Sequence, residues 1–323
     1  MSFLTPTISV IIPTLNRKHL IGETINSFLN QTLPPSEIIV VDNNSSDNTV
    51  AFLKSEYKNK IIIIENKGIN TSPGYARNLG FEIASGKYIQ FFDSDDVLTR
   101  NKLQNQVLTL EKTGADCVYG PYVQVIKSEQ ELWEQTDVIM QYKPFGKAGK
   151  LLSYMSKGFF TIIPSFLFTK SFLHKVGPWR TDIVAYEDFE YLWRIAQLKP
   201  VIAHAPDSCV FYRVHQNQTT LKNFSDAERD FQKYHIFKNL VEKSNGLFIN
   251  YLLQIQIAKV HKRLSMDGNF KNRVPMYEKD YQFLSMYLRL ENKLNRMFSR
   301  SDWQIVHGIS KNKPLFDKYA GLV

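Results

Sequence analysis

Short apolar runs rich in β-branched residues alternate with stretches of helical spacing through the first third of the chain. Ile8-Ser9-Val10-Ile11-Ile12, closed by Pro13, has the near-continuous hydrophobicity of a strand buried on both faces. Ile21, Ile25, Phe28 and Leu29 then recur at helical spacing, and Pro34-Pro35 cannot continue that helix. Glu37-Ile38-Ile39-Val40-Val41 predicts a second buried strand, ending in the polar cluster Asp42 to Thr49, which supplies a turn and an N-cap. Val50, Phe52 and Leu53 open a second helix, Ile61–Ile64 a third strand, Tyr75–Ile83 a third helix and Tyr88–Phe92 a fourth strand. This alternation predicts an α/β fold with a doubly wound, mostly parallel sheet, in which ligands bind outside the carboxyl ends of the strands.

Beyond Leu98 the pattern is less regular. Leu103–Leu110 predicts a helix, Asp116–Tyr119 a strand, Ser165–Phe168 another strand, Tyr186–Gln197 a helix and Cys209–Phe211 a strand; Gln124–Gly149 is polar and irregular and fits a hairpin or a loop. After Asn217 long helical periodicities replace this mixture, over Phe231–Leu240, Leu247–Leu264 and Tyr277–Phe298. The expected division is residues 1–221 as the α/β domain and 222–323 as a basic, helical C-terminal region.

Composition is that of a globular protein, 43% hydrophobic and 22% charged. The aromatic share of 13% fits a thick core better than a sugar-facing surface. Cys117 and Cys209 stand far apart in no metal-ligand spacing, which argues against a disulfide framework or a zinc site and for a reducing, cytoplasmic compartment. No basic leader precedes Ile8 and no window approaches a membrane span, so the chain is expected to be cytoplasmic and soluble, or peripheral at the inner face of a membrane. Net charge is +9, and residues 222–323 carry 18 Lys and Arg against 10 Asp and Glu. With no nucleic-acid-binding motif there, a solvated surface or contact with an anionic membrane ranks ahead of nucleic acid.

The strongest chemical signal is Asp93-Ser94-Asp95-Asp96, three carboxylates in four residues directly after an apolar strand. Carboxylates this close repel unless a cation lies between them, and hard oxygen ligands suit Mg²⁺ or Mn²⁺; a solvated, capping turn is the other reading. Asp42, at a strand end, can accept from a base N–H or a ribose hydroxyl, or cap the next helix. Arg77, in Gly74-Tyr75-Ala76-Arg77-Asn78, could reach a diphosphate or lie on the surface. Glu187-Asp188 head an amphipathic helix, where acids favour the helix dipole or serve as a general base. His215, after Tyr212-Arg213-Val214, is a metal ligand or a structural residue.

In this order, Val10 to Arg17, Val41 to Asp47, Ala76-Arg77-Asn78, Asp93 to Asp96 and Glu187-Asp188 resemble the inverting glycosyltransferases of family 2, which have the GT-A fold. The likeness covers roughly residues 7–220. It implies that Pro13, Thr14, Asn16, Asp42, Arg77, Asp93 and Ser94 bind a nucleotide-sugar, most often a UDP-sugar, with Asp42 facing the base. It implies also that Asp95 and Asp93, with His215 completing the shell, hold Mn²⁺ or Mg²⁺, that Asp188 is the catalytic base with Glu187 as its partner, and that Trp179 lies on the acceptor side. The acceptor implied is a glycan or lipid-linked hydroxyl in cell-surface polysaccharide or glycolipid assembly. The Gln-x-x-Arg-Trp motif of the processive synthases is absent from the sequence, which favours transfer of one sugar per encounter. Two alternatives stand beside this reading. A nucleotidyltransferase would be expected to carry a Gly-rich basic loop where Pro13-Thr14-Leu15-Asn16-Arg17 stands, and a non-catalytic sugar- or lipid-binding scaffold would not need Asp93, Asp95 and Asp188 together.

Overall fold

The computed structural model describes residues 6–127, 133–140, 151–152, 155, 161–215, 218, 225–243 and most of 253–264. Among these residues the chain divides into two compact units, the first holding residues 6–140 and 161–214, the second residues 151–155 and 215–264.

The first unit begins with the predicted alternation: β1 (Ile8–Thr14), α1 (Ile21–Leu29), β2 (Glu37–Asp42), α2 (Thr49–Glu56), β3 (Ile62–Glu65), α3 (Pro73–Ile83) and β4 (Tyr88–Phe91). There follow β5 (Val97–Leu98), α4 (Lys102–Thr113), β6 (Cys117–Tyr119), β7 (Tyr122–Lys127), β8 (Trp133–Met140), a 3-10 turn at Ile163–Ser165, β9 (Phe166–Thr169), α5 (Lys170–Val176), α6 (Glu187–Gln197), β10 (Ile202–His204) and β11 (Val210–Val214). The main sheet has the order β10-β6-β9-β4-β1-β2-β3, and β5-β11-β7-β8 form a second sheet. β1 runs parallel to β2 and β4, whereas β9 runs antiparallel between β4 and β6.

Alternate side chains of the buried strands serve opposite faces. Ile8, Val10 and Ile12 of β1 join Ile21, Ile25 and Phe28 of α1 in one core cluster. On the other face α3 lies so close that a Cβ on Gly80 would sit 2.4 Å from the Ile11 side chain. Ser72 caps α3 by accepting from the Tyr75 amide at 3.2 Å, with Pro73 in the first helical turn. Parallel pairing aligns the carboxyl ends of the strands, with Thr14 opposite Asp42 and Ile11 opposite Phe91. The candidate residues after β1, β2 and β4 therefore share one end of the sheet.

The segment from Gln124 read as polar and irregular contains most of β7 and all of β8, an antiparallel pair with a bulge between Val123 and Val125. In the second unit, α7 (Asp226–Lys243) includes the predicted Phe231–Leu240 helix, and the described residues from Leu253 to Leu264 are helical. The predicted helix Tyr277–Phe298 lies outside the described residues. No helix among the described residues is long and apolar enough to cross a membrane.

Candidate functional site

At the ends of β1 and β2, Thr14 and Asp42 are paired neighbours and almost fully buried. Asp42 Oδ2 accepts from the Ser45 amide at 2.9 Å, but Asp42 Oδ1 and Thr14 Oγ1 are buried without a hydrogen-bond partner. Unsatisfied buried polar atoms are unfavourable, so two of them side by side at the ligand end of a sheet mark a place built for something else to bind. The loops around them are fixed by asparagines. Asn16, in left-handed backbone at φ 54°, donates its amide to Ser45 Oγ at 2.8 Å and accepts from the Ser46 amide at 2.7 Å. Asn43 and Asn66 bond to each other at 3.0 Å, and Asn43 donates to the Thr71 and Ser72 carbonyls ahead of α3. Pro13 belongs to β1, and Ser94 is buried with its carbonyl accepting from Thr24 Oγ1 at 3.1 Å.

The acidic run after β4 does not converge on one point. Asp93 pairs with Arg77 at 2.9 Å, Asp95 with Arg17 at 3.1 Å, and Asp96 turns inward to accept from the Arg213 backbone amide at 3.0 Å. Arg213 itself is buried on β11. Its guanidinium donates to the Asp95 carbonyl, to Glu23 and to the Leu20 carbonyl, and so grips the run by its main chain. Burial pushes the Asp96 carboxyl well above the usual range, with Asp95 and Asp93 adding repulsion.

Arg77 is the hub. It is 2% exposed, and besides Asp93 it meets Glu187 at 3.2 Å and Asp188 at 3.4 Å, joining the end of β4 to the head of α6. Its guanidinium lies 4.5 Å from the centroid of Trp179, which is stacked on Tyr191 at 3.8 Å. The Trp179 backbone is pinned to α3 by the Asn78 side chain, which donates to the Trp179 carbonyl at 2.9 Å and accepts from its amide at 2.8 Å, and a Cβ on Gly74 would lie 2.3 Å from the Arg180 carbonyl, so α3 needs that glycine to approach. Tyr186, at φ 62°, is a non-glycine residue in left-handed backbone and turns the chain into α6 so that Glu187 and Asp188 occupy its first turn. The Ile163 amide donates to Asp188 Oδ2 at 3.3 Å, and Asp188 Oδ1 takes no hydrogen bond. Burial pushes the Asp188 carboxyl up to about 8, with Glu187 and Asp93 reinforcing the shift and Arg77 opposing it. Burial likewise raises Asp93, to about 6, against the pull of Arg77.

Arg77, expected against a diphosphate, is thus enclosed by carboxylates, and Trp179, expected to face an acceptor, is 3% exposed with its ring packed against Tyr191. His215 follows β11 directly and falls in the second unit. Among the described residues no group of three or more His, Cys, Asp or Glu is gathered as a metal site. Asp93 and Asp95 still fit a divalent cation of the Mg²⁺ type. Their side chains stay 28% and 15% exposed, and such ions are commonly held by one or two carboxylates together with substrate phosphates and waters. The sequence reading missed Arg17 and Arg213. Only the location of Arg17 beside Pro13-Thr14 signalled it, and Arg213 reads as one more polar residue next to His215.

The model of a protein family described as glycosyl transferase family 2 matches residues 9–177. The chain is 29% identical over 260 residues to the Escherichia coli UDP-Glc:alpha-D-GlcNAc-diphosphoundecaprenol beta-1,3-glucosyltransferase WfgD, covering 79% of this chain and 94% of the relative. It is 26% identical over 298 residues to the Campylobacter jejuni GalNAc(5)-diNAcBac-PP-undecaprenol beta-1,3-glucosyltransferase, covering 91% and 86%. Other matches are local: a poly(ribitol-phosphate) beta-glucosyltransferase of Bacillus spizizenii is 42% identical over 96 residues, 28% of this chain and 15% of that protein. Among solved structures, residues 1–349 of Staphylococcus aureus TarS in complex with UDP-GlcNAc align with a TM-score of 0.59 at 19% identity, over 84% of this chain and 77% of that one. The shared architecture is the GT-A fold.

Proposed function

The chain belongs to glycosyl transferase family 2, and from that premise we propose that it moves one sugar from a UDP-sugar to an acceptor hydroxyl with inversion at the anomeric carbon. The observation that carries this reading is Arg77, which draws Asp93 and Glu187-Asp188 together from positions 110 residues apart between Arg77 and Glu187. The acids at a strand end and the acids at a helix head thereby face one reaction centre. In this reading Thr14 Oγ1 and Asp42 Oδ1 take the edge of the base, with Asn16 bracing their loop and Pro13 and Ser94 shaping the walls. Asp188 accepts the proton of the acceptor hydroxyl as that oxygen bonds to the anomeric carbon and the bond to the diphosphate oxygen breaks. Glu187 and Arg77 hold Asp188 in place. Asp95 and Asp93 would hold Mn²⁺ or Mg²⁺. A divalent cation there supplies charge neutralisation of the departing diphosphate. Trp179 supports Arg77 and through it the acceptor side.

The relatives named for undecaprenol-diphosphate acceptors support a lipid-linked sugar as acceptor and place UDP-glucose first among donors to try. A lipid-borne acceptor also agrees with peripheral attachment of the basic region 222–323 at the cytoplasmic membrane face, which flotation with acidic liposomes at low salt tests. For the reaction itself, a panel of UDP-sugars is incubated with protein, Mn²⁺ and a polyprenyl-diphosphate-linked sugar, and UDP release is read with and without EDTA. Metal-dependent release from one donor, lost in Asp188→Asn, is the expected result. Release that survives Asp188→Asn overturns the assignment of the base.

A further inference from the structure

Lys102 is fully buried at the first turn of α4, and its ammonium has no carboxylate partner. Its Nζ donates to Gln90 Oε1 at 2.5 Å and to Gln106 Oε1 at 2.8 Å. Both glutamines are themselves buried, and each turns its amide NH₂ toward the same short segment: Gln106 donates to the Ser165 carbonyl at 2.8 Å and Gln90 to the Pro164 carbonyl at 3.1 Å. That segment is the 3-10 turn whose first residue, Ile163, gives its amide to Asp188. Burial with no opposite charge pushes the Lys102 amine well below its ordinary value. Two N–H bonds of the Lys102 Nζ are thus taken up by the two glutamine oxygens. Each glutamine carbonyl is thereby oriented by Lys102, which fixes which way each amide donates. A hydrocarbon core would fill this space more favourably, so the network needs a reason to exist beyond packing.

We propose that Lys102, acting through Gln90 and Gln106, is a positioning residue that holds the Ile163–Ser165 turn in register with Asp188 and so sets the aim of the catalytic base. The Asp188 carboxylate is otherwise bordered by Arg77 from α3, Asp93 after β4 and Glu187 on its own helix. Of these contacts only the Ile163 amide comes from neutral main chain that another element can steer. This proposal rests on Asp188 being the base, and its mechanical half is measurable without turnover.

Amide hydrogen exchange at Ile163, read in the full chain, should quicken about tenfold or more in Lys102→Met, while amides of β1 and β2 keep wild-type protection. Gln106→Met removes one arm of the network and should show the same local effect more weakly, which serves if Lys102→Met fails to fold. In the transfer assay Lys102→Met should lower kcat about tenfold with UDP affinity unchanged, and combining it with Asp188→Asn should produce no further loss beyond Asp188→Asn alone. Unchanged Ile163 exchange in both variants, or losses that multiply in the double variant, overturns the proposal. Faster exchange in a protein for which Asp188→Asn does not impair transfer removes Asp188 as the base and leaves only the mechanical link.

Discussion

The two ends of the candidate site are finished to different degrees. Around Thr14 and Asp42 the loops are locked by asparagine hydrogen bonds, yet two buried oxygens lack partners. Around Asp93, Asp95 and Asp188 nearly the reverse holds, and each carboxylate already faces an arginine of the chain. The first end offers open hydrogen-bonding valences on an aspartate and a threonine, suited to the edge of a base. The second is a knot of charge in which arginines of the chain lie against the carboxylates. Preorganisation at one end and compensation at the other fit a substrate whose base is neutral and whose diphosphate is not.

Breaking the charge knot should have the largest effect. Arg77→Met leaves Asp93, Glu187 and Asp188 without their shared counter-charge, and unfolding in urea should show a loss of about 3–5 kcal/mol. Thr14→Val at the other end should shift stability by under about 1 kcal/mol, because no hydrogen bond is lost. Asp188→Asn should reduce kcat by about 10²–10⁴ with UDP affinity intact in calorimetry. It should also stabilise the fold. The raised folded-state value means that the contribution of Asp188 to stability is fully present below the ordinary value of 3.8 and is lost as pH rises toward about 8, so the advantage of the asparagine variant over wild type grows across that window. Turnover runs the other way. The base must be ionised, so kcat/KM should rise with pH with a midpoint far above that of an ordinary aspartate, and this acid limb should vanish in Asp188→Asn.

Asp42→Asn sharpens the contrast from the Thr14–Asp42 end. It should weaken UDP binding about tenfold or more, the worth of one hydrogen bond to a charged acceptor, with kcat less affected. The smallest effect expected is at Arg17. Arg17→Met removes one ion pair from Asp95, and Mn²⁺ binding followed by electron paramagnetic resonance should tighten a few-fold, roughly the scale of a partly buried ion pair.

The sheet from β1 to β4 was legible in the sequence because β1, β2 and β3 are β-branched runs and β4 a mostly apolar, aromatic one, each bounded by proline or polar residues. The direction of β9 was not, since Phe166-Leu167-Phe168 is equally apolar read either way. β10 escaped because Ile202-Ala203-His204 is three half-buried residues with no alternation to detect. The candidate acids stood out by density alone, whereas their partners did not. Arg77 read as a diphosphate ligand or a surface arginine, and neither Arg213 nor Lys102 was singled out. What distinguishes these cations is burial, which depends on contacts between residues up to 193 apart, as between Arg213 and Leu20. Local pattern carries no trace of such separations.

The late arrival of β9 also sets an order of assembly on the ribosome. β3, β2, β1 and β4 are complete once residue 91 has left the exit tunnel, and they form a contiguous four-stranded sheet. β6 emerges next but has no neighbour among them, since it joins the sheet only through β9 and later β10. Until residues 166–169 are made, the β4 side of the nascent sheet is an open hydrogen-bonding edge carrying Tyr88, Ile89 and Phe91. Slower translation of the intervening stretch would lengthen the time for which that edge is open to pairing with another chain.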